Sequence, residues 1–119
     1  MEKSLRLRKN SDFQAVYKRG KNYWNREFTI LIKKNNLSIT RIGFTVTKKY
    51  GTAVERNKIK RRLREIIRNN QHSLVEGYDI IIIPKKNTAN MSFHELNRSI
   101  IHLFNTINKK TKNKGKRAK

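Results

Sequence analysis

The chain has 119 residues, with 30 Lys and Arg against 8 Asp and Glu, a formal charge of +22, and no Cys. The missing Cys excludes a disulfide framework, a thiolate zinc site and a Cys nucleophile. No apolar run reaches the roughly 18–20 residues of a membrane-spanning helix, and no apolar signal segment follows Met1. So large a cationic excess on one small domain destabilises the compact state by self-repulsion and implies a polyanionic partner. Nucleic acid is the leading class, ahead of an anionic membrane surface or a merely solvated basic face.

In chain order, Lys3 to Asn10 alternates basic residues with Leu5 and Leu7 and reads as an extended arm. Ser11 reads as the N-cap of a short helix over 11–19, with Gln14 closing a capping box and Gly20 as its C-terminal stop. Phe13, Val16 and Tyr17 share one side of that helix. Residues 27–33 are rich in β-branched and aromatic side chains and predict a strand, followed by a turn at 34–36. Residues 41–48 alternate: Ile42, Phe44 and Val46 point one way, Gly43, Thr45 and Thr47 the other. A long helix follows over 53–70. Residues 78–83 contain four consecutive Ile, the mark of a central strand buried on both faces, and Pro84 ends it. Ser92 and Glu95 form a capping box before a helix over 92–108, with apolar residues at helical spacing. Residues 109–119 hold seven basic residues and no acid, and are expected to form a disordered tail behind a single domain over 1–108. This order predicts an α+β sandwich, helices on a small sheet.

The long helix carries the most informative pattern. Ile59, Leu63, Ile66 and Ile67 converge on one stripe, which must pack on the sheet. Asn57, Lys60, Arg61, Arg64 and Arg68 converge opposite it. Asn57, Arg61, Arg64 and Arg68 form a ridge about 16 Å long at the helical rise per residue. A guanidinium fork suits bidentate contact with phosphate oxygens or a guanine edge. The competing reading is a solvated face with local pairs to Glu55 and Glu65, but two acids cannot neutralise the seven basic residues of 56–68.

The run Gly51-x-Ala53-Val54-x-Arg56-Asn57-x-x-Lys60-Arg61-x-x-Arg64 resembles the signature of the bacterial ribonuclease P protein family. Gly43-Phe44-Thr45-Val46-Thr47-Lys48-Lys49 resembles the family's preceding strand. Asp12-Phe13-Gln14 with Tyr17, Asn25-Arg26-Glu27-Phe28 and Tyr78-Asp79-Ile80-Ile81-Ile82 extend the resemblance, in order, over about residues 5–105.

The resemblance implies an αβββαβα sandwich of the ribosomal protein S5 domain 2-like type. Its four-stranded sheet would include a short extra strand near Lys21–Trp24 and a left-handed βαβ crossover, against the usual hand. It implies the accessory subunit of a cytoplasmic ribonucleoprotein endonuclease. There the RNA, with Mg²⁺ bound mainly by that RNA, removes the 5′ leader of precursor tRNA, one protein to one RNA. No catalytic residue and no metal ligand is then expected in the protein, and His72, His94 and His102 form no ligand set. Lys48, Lys49, Arg56, Asn57, Lys58, Lys60, Arg61, Arg64 and Arg68 would dock the catalytic RNA. Phe13, Tyr17, Thr29, Leu31, Thr45 and Thr47 would line a cleft for the leader, where aromatic stacking tolerates any base. From the residues alone, Phe13 and Tyr17 also fit simple helix-to-sheet packing. Two positions depart from the family pattern: Lys58 stands where Arg is usual, and Leu31 where Tyr is frequent. The remaining alternatives are a ribosomal or assembly protein of similar fold and a membrane-surface amphipath.

Overall fold

The computed structural model describes the backbone of residues 5–117 and the side chains of residues 5–111. Three helices, α1 (Asn10–Arg19), α2 (Ala53–Asn69) and α3 (Phe93–Arg117), pack on four strands: β1 (Lys21–Trp24), β2 (Phe28–Lys34), β3 (Arg41–Phe44) and β4 (Tyr78–Pro84). The sheet order is β1-β2-β4-β3. β1 pairs antiparallel with β2, β2 antiparallel with β4, and β4 parallel with β3, so α2 is the crossover between two parallel neighbours. The short extra strand is β1.

β4 occupies the interior of the sheet, and its four Ile divide between the faces by the strand's period of two. Ile80 and Ile82 join Phe28, Ile30 and Ile32 beneath Ile59, Leu63, Ile66 and Ile67 of α2 and Leu96, Ile100, Leu103, Phe104 and Ile107 of α3. Ile81 faces the other way, into a smaller core with Leu7, Val16 and Leu31, against which Phe13 and Ile83 pack. The sheet is therefore covered fully on one side and only partly, by α1 and the N-terminal arm, on the other. The arm is docked: Leu7 donates its N–H to the Ile42 carbonyl at 2.9 Å, and Arg6 bridges Ile42 in parallel.

Two helices start with capping boxes. Thr52 Oγ1 accepts from the Glu55 N–H at 3.2 Å while the Glu55 carboxylate accepts from the Thr52 N–H at 2.9 Å. Ser92 and Glu95 repeat the arrangement at 3.2 and 2.9 Å. The hydrogen bonds with Thr52 and Ser92 hold both carboxyls below their ordinary pKa. With the folded value below the unfolded one, each cap's contribution is present at neutral pH and lost as the pH falls through the carboxylate range. The fold also satisfies its deepest hydroxyls. Buried Thr88 donates to the Lys85 carbonyl at 2.7 Å, which leaves the Tyr50 hydroxyl to donate to Thr88 across 2.9 Å.

Three expectations are corrected. Ser11 is not the N-cap of α1; the helix begins at Asn10 behind Lys9, with no side-chain cap. Asp12, in the first turn, instead reaches Arg41 across 3.5 Å and places its charge at the positive end of the helix dipole. Gly20 does end α1, at an ordinary φ of −75°. Its lack of a side chain matters because a Cβ would lie 2.5 Å from the Val16 carbonyl oxygen and 2.9 Å from that of Ile32. β3 ends at Phe44, short of the expected 48. The Thr45 N–H still donates to the Ile82 carbonyl at 3.1 Å, but the next bond of a parallel ladder would need an N–H on residue 84, and Pro84 has none. Finally, α3 extends through Arg117, past the expected helix end at 108. Lysine is a good helix former, the Thr111 hydroxyl donates back to the Ile107 carbonyl at 3.0 Å, and the Lys110 ammonium stands 5.5 Å from the Tyr23 ring centre. The remaining tail positions, 118–119, and the arm's first residues, 3–4, lie outside the described residues.

Candidate nucleic-acid interface

α2 exposes three strips of polar residues around the helix. Asn57, Arg61 and Arg68 are exposed on the outermost line. Arg68 is ion-paired with Glu65 one turn back, which keeps its guanidinium above its ordinary pKa. Lys60 and Arg64 lie on the flank toward β3. Lys58 lies on the opposite flank, about 100° from Asn57, beside Tyr50, Arg62 and Thr88. Arg62 on that flank is a strut: its Nη1 donates to the Met91 carbonyl at 3.2 Å. Lys48 and Lys49 are exposed on the single 3-10 turn, Lys48–Tyr50, between β3 and α2. Arg56 is half-buried, with its Nε 3.4 Å from the Thr52 carbonyl oxygen. Gly51 accounts for the opening of the motif. It sits at φ 158°, and a Cβ there would meet the Glu55 carboxylate at 2.7 Å, displacing the group that caps the helix.

The α1 side of the sheet carries the aromatic pair. Phe13 and Tyr17 are one turn apart, with ring centres separated by 6.4 Å and planes tilted by 42°. Phe13 lies over Gly43, where a Cβ would come within 2.4 Å of its ring. Tyr17 is 41% exposed and its hydroxyl hydrogen-bonds Thr45 Oγ1. Thr45 is half-buried beside Tyr17, Thr29 is half-buried two strands away on the same face, and Thr47 is exposed where the chain leaves the sheet. Leu31 does not line the open part of the cleft: it is only 8% exposed, packed under α1 with Leu7, Val16 and Ile81. It is a core residue at a position expected to face a ligand.

The two surfaces meet. Arg6, Arg8, Phe13, Gly43, Lys60 and Arg64 line one groove of about 210 Å³ with Leu7, Ile42 and Phe44. Four cations and two aromatic rings, Phe13 and Phe44, therefore share a groove whose lining contains no acid. Arg6 and Arg8 were not singled out from the sequence; their only signal was the Leu5/Leu7 alternation, which docks the arm along β3. A second network also lies outside the sequence reading. Arg41 grips Asp79 with two bonds, Nε to Oδ1 at 2.9 Å and Nη2 to Oδ2 at 2.7 Å, and Asn35 donates to the same carboxylate at 3.0 Å. The hydrogen bond to Asp79 raises the Arg41 pKa. Through Asp12, Arg41 fixes α1, and so Phe13 and Tyr17, against the sheet.

Fold and surface define a small cationic α+β protein whose arginine-bearing helix adjoins an aromatic cleft on a partly open sheet. The family model described as Ribonuclease P matches residues 1–108. A ribonuclease P protein component from Finegoldia magna is 52% identical over 103 residues, spanning 87% of this chain and 90% of the relative. One from Streptococcus pneumoniae is 38% identical over 104 residues, 87% of this chain and 85% of the relative. Among solved structures, the ribonuclease P protein of Thermotoga maritima aligns with a TM-score of 0.78 at 36% identity, covering 83% of this chain and 94% of that one. A mutant ribonuclease P protein of Staphylococcus aureus aligns with a TM-score of 0.84 at 37% identity, covering 91% and 92%. The chain belongs to the ribonuclease P protein family.

Proposed function

We propose that this protein docks the catalytic RNA of a bacterial ribonuclease P through α2 and holds the 5′ leader of precursor tRNA in the cleft beside α1. The observation that carries this reading is the shared groove, in which Phe13 lies with Arg6, Arg8, Lys60 and Arg64. A single strand leaving a phosphate-rich partner on α2 would pass directly onto an aromatic surface. Arg61 and Asn57, on the exposed line, face the structured RNA. Lys60 and Arg64 bind phosphates at the junction, and Phe13 and Tyr17 stack the leader's bases without reading their sequence. Lys48, Lys49, Arg56 and Lys58 add positive potential around the α2 N-terminus, where the helix dipole already favours anions.

In this reading the RNA carries out the endonucleolytic step and the protein supplies affinity and position. The expected Mg²⁺ does not fit a cage made by this chain. Among the described residues no three His, Asp or Glu side chains form a cation site, and Asp79 is committed to Arg41 and Asn35. In this reading the RNA holds the ion, and the protein lowers the Mg²⁺ requirement by contributing fixed positive charge. The complex is one protein to one RNA, acting in the cytoplasm.

The RNA that co-purifies with the full chain tests the assignment. An RNA of ribonuclease P type, cleaving precursor tRNA once Mg²⁺ is added, is the expected result. Recovery of ribosomal RNA alone would support a ribosome-assembly role instead.

A further inference from the structure

Trp24 is the chain's single Trp, and it is 68% exposed on the edge strand β1. The side of the sheet it occupies follows from register. Trp24 pairs with Thr29, and Thr29 with Ile83. Thr45, whose N–H bonds the Ile82 carbonyl, continues the row on the far side of β4. Residues paired across strands project to the same face. Ile83 packs against the smaller core beneath α1, as does Leu31 two residues from Thr29. The neighbouring Tyr23 points the other way, toward Lys110. Trp24 therefore faces the α1 side, at the end of a row that runs through Thr29 and Ile83 to Thr45 and the Tyr17 hydroxyl. Three strand spacings make that row about 14 Å long.

The row is built for a flexible, flat-faced ligand. It has an aromatic ring at each end and small or apolar side chains between them. Charge accompanies the Trp24 end, where the Lys85 ammonium donates to the carbonyl of adjacent Asn25 at 2.6 Å. The order β1-β2-β4-β3 puts Trp24 on the edge opposite β3, so it is the end of the cleft farthest from the cationic groove of Lys60 and Arg64. We propose that Trp24 is a second stacking platform, binding an unpaired base of the leader some 14 Å beyond the base held at Tyr17. The inference rests on the leader reading above and adds a residue and a reach to it. An indole accepts any base face, so the platform senses leader length, not leader sequence.

The single Trp makes the contact directly observable. Titrating the full chain with a single-stranded RNA should quench Trp24 emission saturably, whereas a duplex of the same sequence should bind without quenching. In the complex reconstituted with catalytic RNA, Trp24→Ala should weaken binding of a long-leader precursor about 5- to 150-fold, and Trp24→Phe should weaken it less. Neither change should alter affinity for a precursor trimmed to end at Tyr17, or for mature tRNA. Suppose the labelled strand binds, shown by its anisotropy, while Trp24 emission stays constant and Trp24→Ala binds long and trimmed leaders like the parent protein. Then the platform is refuted and the leader cleft stands. If the parent protein does not distinguish any leader from mature tRNA, the underlying reading fails with it. A shift of Trp24 emission with protein concentration in the absence of RNA, matched by a dimer in sedimentation that Trp24→Ala abolishes, would assign the surface to a second copy and overturn the proposal.

Discussion

Reversing Arg61 and Arg64 together to Glu should weaken binding to the catalytic RNA by about a hundredfold or more. Hydrogen bonds to charged groups are each worth roughly 1.5–3 kcal/mol, and two are lost, with repulsion added. Among the described residues neither side chain takes part in an ion pair, so the fold loses no partner when they change. The milder pair Arg61→Ala and Arg64→Ala separates charge from repulsion. It should flatten the dependence of log affinity on log salt by about 2, one per phosphate contact removed. Filter binding across a salt series measures both quantities. An unchanged slope would mean that the α2 face does not touch the RNA backbone.

Arg41→Met should cost a few kcal/mol of stability in urea unfolding, somewhat below the roughly 3–5 kcal/mol typical of breaking a fully buried ion pair. Asp79 is only 5% exposed, and without Arg41 its carboxylate would keep Asn35 but lose its two guanidinium bonds. The Arg41 side chain is 24% exposed, which moderates the loss. Asp79→Leu on top of Arg41→Met should recover part of it, because the stranded charge is then gone. The same Arg41 substitution releases Asp12, so binding of the leader strand should weaken along with stability. Additive effects of the two substitutions would show that the pair is not coupled.

Much of this architecture is legible in the residue pattern. Four consecutive Ile require a strand covered on both faces, and β4 is the strand that α1 covers on one side and α2 and α3 on the other. Ser92 and Glu95 announce a helix start because a capping box is purely local. Ser11 and Gln14 make the same local signal, and there a long-range contact wins: Arg41, 29 residues away in sequence, ties down the helix end through Asp12. The family resemblance puts Leu31 in the cleft, but alternation specifies only a face of the sheet, not how far α1 extends over it. The helical wheel identifies the cationic side of α2 but cannot know that the docked arm brings Arg6 and Arg8 alongside Lys60 and Arg64. The charge of +22 is accordingly not one undifferentiated field. Part of it is spent internally at Arg41, Arg62 and Arg68, and part converges on a groove with an aromatic wall.

The central claim is that one surface joins RNA docking to leader binding. The most direct measurement compares equilibrium binding of a leader-bearing precursor and the matching mature tRNA to the protein reconstituted with a bacterial ribonuclease P RNA. The precursor should bind about tenfold or more tighter, a difference that stacking of one or two leader bases supplies, and Phe13→Ala should remove most of it. Equal affinities for precursor and mature tRNA would contradict the account.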